Sequence, residues 1–325
     1  TFKKHILIHP SLKEDYYLKG HQDDSLSVLN HHLLVYKQSH HQVLPMHINH
    51  QHNPLSASKL EVYNQCPYKY YLQYILKVDS INNSLIQSNE IGTLVHYVLE
   101  KNHHYFNNYQ AKNFDSLKED IHLSIQNYLK THMLKKYTLK KNQFFLKLIE
   151  DDLYNTIIVL AKQMQHGLFE LSACEERVYD KIQDIELKGF IDRIDEVKGS
   201  LRIIDYKSGS GTSVFTTVDS LFDKSLKDRP KAVMQVCLYS WMYGLTDPNK
   251  SIQPGIYYMR NLFSDAFDSA VYQKPAKEKI PLSEFASIRD NFAEELGKCL
   301  REIFDYTIPF RQTETENACM YCAFT

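Results

Sequence analysis

The sequence predicts a mixed α/β fold, a central mixed sheet flanked by helices with a large helical insert. Three observations predict it. From Gly92 to about Gln165 apolar residues recur at helical spacing. Segments 169–180, 185–197 and 201–207 then alternate as strands do, with a helix near 230–244 interrupting the series. Further strands near 254–260 and 268–273 and a helix near 282–304 follow. Helices first, then a meander carrying an inserted helix, is the pattern of a sheet covered by helices. No internal repeat is visible.

Taken in order, residues 1–53 stand apart. They hold ten of the sixteen histidines, with His40, His41, His47, His50 and His52 close together. Such a tract is either a metal-binding stretch or a polar connector, and the connector is the plainer reading. Ile6-Leu7-Ile8 and Leu33-Leu34-Val35 have the look of strands from the remnant of a preceding domain. The main domain is expected over residues 54–325. Ser58-Lys59-Leu60-Glu61 has the spacing of a capping box at a helix start. Pro67 opens a second short helix, where its missing N–H does no harm. The helical stretch carries Leu94, Val95, Val98 and Leu99, then Leu117, Ile121, Ile125 and Tyr128, then Phe144, Leu148 and Leu153.

Composition narrows the class of protein. In 325 residues, 43% are hydrophobic and 24% charged, which is ordinary for a globular chain. No apolar run approaches the ~18 residues a membrane helix needs, so no membrane partner is expected. The first residue is Thr1, with no signal-peptide pattern, which suggests a piece of something longer. Net charge is −1, so no global basic field advertises nucleic-acid binding. The six cysteines, at 66, 174, 237, 299, 319 and 322, are too sparse for a secreted disulfide framework. A reducing, cytoplasmic setting is the expectation.

The informative stretch runs from Leu187-Lys188-Gly189-Phe190-Ile191-Asp192 to Leu201-Arg202-Ile203-Ile204-Asp205-Tyr206-Lys207. Both halves read as strands, joined by the turn Val197-Lys198-Gly199-Ser200. If Lys198 and Gly199 form a two-residue loop, Asp192 falls opposite Asp205. Cross-strand partners share a face with Cβ atoms ~4.5–5.5 Å apart. Two carboxylates so placed repel unless a cation lies between them. Lys207, two residues after Asp205, shares that face. Two acids and a lysine converging there make a divalent-metal phosphoryl-transfer site, with Asp192 and Asp205 as hard oxygen ligands for Mg²⁺ or Mn²⁺. The other reading, a surface hairpin with solvated charges, is kept for Arg193 and Asp195, which point the other way and pair with each other.

Asp192 followed by Asp205-Tyr206-Lys207 resembles the signature of the PD-(D/E)XK nucleases, in the form found in RecB-like and AddB-like exonuclease domains. Three further segments fit in order: Leu55-Ser56-Ala57-Ser58 with Tyr63 and Cys66-Pro67, Gly92-Thr93-Leu94-Val95-His96, and Gln235-Val236-Cys237-Leu238-Tyr239. The resemblance covers residues 54–325 and implies a restriction-endonuclease-like core. It implies metal ligation by His96 and the Tyr206 backbone carbonyl beside Asp192 and Asp205. Lys207 would orient or deprotonate the attacking water, with Gln235 and Tyr239, four apart on one helix face, steadying it and the DNA backbone. Without the resemblance, a lone helical histidine such as His96 is more often structural, and Gln235 and Tyr239 read about equally well as packing residues.

The resemblance also implies a 4Fe–4S cluster on Cys66, Cys319 and Cys322 and a fourth cysteine. The fourth is not in this sequence, so the cluster is expected to be incomplete; zinc on Cys319 and Cys322 is the alternative. Cys174, Cys237 and Cys299 sit in periodic apolar contexts and read as buried small hydrophobes. Tyr68, Tyr70, Tyr71 and Tyr74 crowd one short helix and read as packing residues, some exposed enough to line a DNA channel.

The expected function is metal-dependent hydrolysis of DNA in repair and recombination. What the family implies beyond this is exonuclease action on single strands, alongside a helicase partner or helicase-like upstream region. Two alternatives stay open: a CRISPR-associated exonuclease, and a DNA-binding scaffold without catalysis.

Overall fold

The computed structural model describes residues 54–78, 88–107, 114–132, 140–166, 169–182, 185–246, 250–264, 267–275, 277–305, 307–314, 319, 322 and 324. The histidine-rich tract and its two strand candidates lie outside the described residues. The described residues begin with a short strand β1 (Leu55–Ser56) and helices α1 (Ala57–Gln65) and α2 (Pro67–Tyr70). Three longer helices follow, α3 (Ser88–Asn102), α4 (Leu117–His132) and α5 (Lys140–Gln165). Strands β2 (Glu170–Ile182), β3 (Ile185–Val197) and β4 (Ser200–Lys207) come next, then the short β5 (Val214–Phe215) and helix α6 (Lys231–Thr246). Strands β6 (Ile252–Tyr258), β7 (Tyr272–Gln273) and β8 (Ile280–Pro281) lead to α7 (Arg289–Phe304).

The central sheet has five strands and is mixed. β2 and β4 pair antiparallel with β3, while β1 runs parallel to β3 and β6 parallel to β4. β2 occupies one edge of β3 along its length. The other edge is shared: β4 takes Arg193–Val197 and β1 takes Leu187 and Lys188. Residues 189–192 are left without a ladder partner on that side, among the described residues. β5, β7 and β8 form a separate small sheet.

Two apolar layers enclose the central sheet. On one side α6 packs with α1 and α7 over Leu187, Ile191, Ile194, Leu201, Ile203 and Ile256. On the other, α3, α4 and α5 pack over Ile204, Tyr206 and Tyr257. Ile191, Ile194, Ile203 and Ile204 have no exposed surface. Each such side chain contributes about 1.5–3 kcal/mol on burial, which anchors the hairpin against both layers. The turn residues Lys198 and Gly199 have φ of 51° and 81°, as a two-residue hairpin loop of this twist requires.

Several expectations need correction. The first helix is capped by Ser56, whose Oγ accepts from the Lys59 N–H at 3.4 Å, not by Ser58. Glu61 is therefore free of the cap and pairs with Arg229 at 2.7 Å. The last helix starts at Arg289, because Phe285–Ser287 form a separate 3₁₀ turn. Between 268 and 273 only the Ala270 bridge to Gly255 and β7 are strand-like. Arg193 and Asp195 pair as expected, Nε to Oδ1 at 2.8 Å, but both are fully buried rather than solvated. The Arg193 guanidinium lies 4.5 Å from the ring centres of Phe169 and Tyr257, and donates to the Tyr206 hydroxyl at 2.7 Å. Arg202 completes the cluster at 2.7 Å from Asp195. Aromatic faces from three segments close over charges that a lone hairpin would leave in water.

Candidate active site

The β3–β4 pairing runs in the expected register from Val197↔Ser200 to Arg193↔Ile204 and stops there, one pair short of Asp192 and Asp205. Beyond that point Asp192 is held by other groups. Its Oδ2 accepts the Tyr206 backbone N–H at 2.6 Å, and its Oδ1 lies 2.9 Å from Nδ1 of His96 on α3. Asp192 is 6% exposed and Asp205 1%.

On the other flank Lys207 is fixed by two contacts. Its Nζ is 2.7 Å from Asp205 Oδ2 and donates to Gln235 Oε1 at 2.8 Å. Gln235 in turn donates from Nε2 to the Tyr239 hydroxyl at 2.9 Å. Gln235 and Tyr239 are one turn apart on α6, a helix buried along most of its length against the sheet. Gly189 makes the approach of Tyr239 feasible, since a Cβ there would sit 2.9 Å from two ring carbons.

The charges are coupled. Burial works against a charged His96, but the bonded Asp192 carboxylate and the Asp205 charge outweigh it and lift its pKa to about 9. Burial pushes the Asp205 carboxyl up to about 6, with Lys207 opposing and Asp192 adding to the rise. Asp205 Oδ1 is buried and accepts no hydrogen bond among the described residues. A buried carboxylate oxygen without a donor costs free energy, and a cation at the site offsets that cost. One imidazole and carboxylates with an orphaned oxygen fit a divalent metal ion of the Mg²⁺ or Mn²⁺ kind. The Tyr206 hydroxyl reaches the Arg193 cluster, its ring packs edge-on to His96 at 6.4 Å between centres, and its backbone N–H binds Asp192.

Glu175 joins this group without any signal in the sequence. One ligand atom each from His96, Glu175 and Asp192 lie within 4.8 Å of one another. Burial first, then the Asp192 charge, raises the Glu175 carboxyl to about 7. Nothing in the alternation of β2 marks it out. A strip on the outer face of β2 and β3 is a second feature that sequence reasoning misses. Arg177 is paired across from Phe190, with its guanidinium 5.5 Å from that ring, and Tyr179 is paired with Lys188. Phe190 is 42% and Tyr179 63% exposed, and Asp192 follows Phe190 by two residues. The available signal is aromatic and basic residues alternating on strands expected to be half-buried.

The cysteines lie elsewhere. Cys66 caps α2, its Sγ accepting from the Lys69 N–H at 3.4 Å. Cys319 Sγ accepts from Gln312 at 3.2 Å, and the Cys322 N–H donates to the Cys319 carbonyl. The C-terminal segment reaches α2, with the Tyr68 N–H donating to Arg311 O at 3.0 Å and Phe310 stacked on Tyr70 and Tyr71. Tyr70 and Tyr71 are buried, so this part of the tyrosine-rich helix is core. Cys237 and Cys299 are buried and Cys174 is half-buried. No helix among the described residues is long and apolar enough to cross a membrane.

Comparison with known proteins bears on this arrangement. Residues 54–325 match the family model of the PD-(D/E)XK nuclease superfamily. Similar curated proteins are described as a subunit of an ATP-dependent helicase/deoxyribonuclease. That of Lachnoclostridium phytofermentans is 28% identical over 48% of this chain and 14% of its own length. That of Clostridioides difficile is 27% identical over 51% and 16%. That of Streptococcus uberis is 26% identical over 76% and 20%. The chain thus spans a fifth or less of these relatives.

Proposed function

The chain belongs to the PD-(D/E)XK nuclease superfamily, and from this we propose that it is a metal-dependent deoxyribonuclease acting exonucleolytically on single strands. The observation that carries the reading is the run of contacts from Asp205 through Lys207 and Gln235 to Tyr239, set beside the His96–Asp192 pair. Such a run has no purpose in a merely packed sheet, where a buried acid and a lysine cost more than apolar residues would.

In this reading His96, Asp192, Asp205 and the Tyr206 carbonyl hold Mg²⁺ or Mn²⁺. When bound, the ion supplies positive charge to the phosphoryl oxygens and makes its water more acidic. The chain's own residues do the rest. An ammonium has three N–H donors; Lys207 directs one to Asp205 and one to Gln235, leaving the third for the attacking water or a phosphate oxygen. Tyr239 holds the Gln235 amide with its oxygen toward Lys207, so the ammonium is oriented before substrate arrives. Such preorganised charge is worth more than the same charge free to turn in water.

Tyr179 and Phe190, with Arg177 and Lys188 between phosphates, suit a single strand whose unpaired bases stack on exposed rings. The helicase link rests on the relatives' descriptions. In this reading a helicase partner, or a helicase-like region of the same polypeptide, feeds the strand to the site.

The test is Mg²⁺-dependent degradation of labelled single-stranded and double-stranded DNA, wild type against Asp205→Ala. Metal-dependent cutting that vanishes in the variant is expected. Binding without cutting, across Mg²⁺ and Mn²⁺ and both substrates, replaces this reading with a DNA-binding scaffold.

A further inference from the structure

The β2–β3 ladder pairs Cys174 with Arg193 and Glu176 with Ile191, and between them Glu175 faces Asp192 without pairing. Both strands break their alternation here. On β3, Leu187, Ile191 and Ile194 all enter the core layer beneath α6, although 191 and 194 are three apart. On β2, Glu175 itself has φ of 51°, a left-handed backbone that is strained for a non-glycine residue. Because each strand carries one irregular residue, the register on either side is unchanged. A glycine or asparagine would make the same kink with less strain. The residue present is instead a glutamate, and its carboxylate reaches the Asp192 and His96 group.

Its neighbours in the group are the Asp192 carboxylate, which opposes its charge, and the His96 imidazole, which favours it when protonated. Glu175 accepts no hydrogen bond among the described residues. Independently, on the opposite flank of Asp192, the buried Asp205 Oδ1 also lacks a donor. A buried Asp205 oxygen without a donor and the half-buried Glu175 carboxylate thus stand on either side of Asp192.

We propose that Glu175 is a further ligand of the divalent cation, joining His96 and Asp192 from the β2 side. The proposal rests on the metal-dependent reading given above. It adds a carboxylate to the set that the Asp192, Asp205 and Lys207 motif supplies, on a strand that carries none of that motif. The left-handed kink is the device that turns Glu175 into the site.

The experiment is calorimetric titration of this chain with Mn²⁺, comparing wild type, Glu175→Gln, Glu175→Gly and Asp192→Asn. Glu175→Gln keeps the side-chain volume, while Glu175→Gly removes the backbone strain together with the carboxylate. Both are expected to bind Mn²⁺ about tenfold or more weakly, and melting in EDTA checks that each is folded. Wild-type affinity in both variants, with Asp192→Asn greatly weakened, overturns the role of Glu175 and leaves the metal site standing. Equal affinity in all four chains, or no binding in the wild type, removes the metal site itself and Glu175 with it.

Discussion

A Cβ atom on Gly189 would lie 2.9 Å from Cδ1 and Cε1 of the Tyr239 ring, and equally close to Val178 Cγ2. The ring of Tyr239 therefore rests directly on the backbone of β3, and its hydroxyl reaches Gln235 from there. Gly189→Ala must push the ring away or bend the strand. Overpacking of this size costs about 1–3 kcal/mol. The expected outcome is a modest fall in melting temperature with a disproportionate loss of DNA cleavage, as the Gln235–Lys207 contact loosens. Cleavage at the wild-type rate in a folded Gly189→Ala chain would show that Tyr239 does not steady Lys207.

Lys207→Ala removes the ammonium but none of the groups assigned to the metal. DNA cleavage should drop by about 10²–10⁴, while Mn²⁺ affinity by titration stays at or above that of the wild type. A parallel loss of metal binding would instead mark Lys207 as a structural counter-ion.

Asp205 carries a pH signature. Its carboxyl is raised on folding from 3.8 to about 6, mainly by burial. The folded state then binds this proton more tightly than the unfolded one. The associated stability is fully present below about pH 3.8 and is lost as pH rises through about 6. Metal-free wild type is therefore penalised at pH 8, and Asp205→Asn should melt higher than wild type in EDTA at that pH. The gap should close toward pH 4. Saturating Mg²⁺ should raise the wild type more than the variant. A melting difference in EDTA that is independent of pH would refute the burial penalty.

The buried cluster behind the site makes a separate prediction. Arg193→Met leaves Asp195 buried with Arg202 as its remaining cation. Breaking a buried pair costs about 3–5 kcal/mol, and the surviving Arg202 contact places this variant near the lower end. Urea unfolding measures it, and a variant as stable as wild type would mean the aromatic shell accepts Met as readily as Arg.

The exposed rings of Tyr179 and Phe190 should report on substrate. Alanine at either is expected to weaken binding of single-stranded DNA about tenfold by fluorescence anisotropy. Duplex binding should change little, since paired bases offer no free face. Equal losses on both substrates would point to general phosphate contact rather than stacking.

The hairpin, its two-residue turn, and the acids and lysine at its end are legible in the amino-acid order. Strand alternation and turn chemistry are local properties, readable from neighbours a few residues apart. His96, Gln235 and Tyr239 stand out only through resemblance, since a histidine or glutamine on a helix has no local signature of function. The remaining features depend on contacts between distant segments. Arg193 and Asp195 read as solvated because their own hairpin offers nothing to cover them. Phe169, Tyr206 and Tyr257 bury them, and two of those rings come from outside the hairpin. Spacing alone favours Ser58 as the cap, yet the parallel pairing of Ser56 with Lys188 ends β1 there and starts the helix two residues early. Glu175 is invisible in the sequence because its place depends on two strands losing their alternation together. That is a property of the pairing, which neither strand's sequence carries alone.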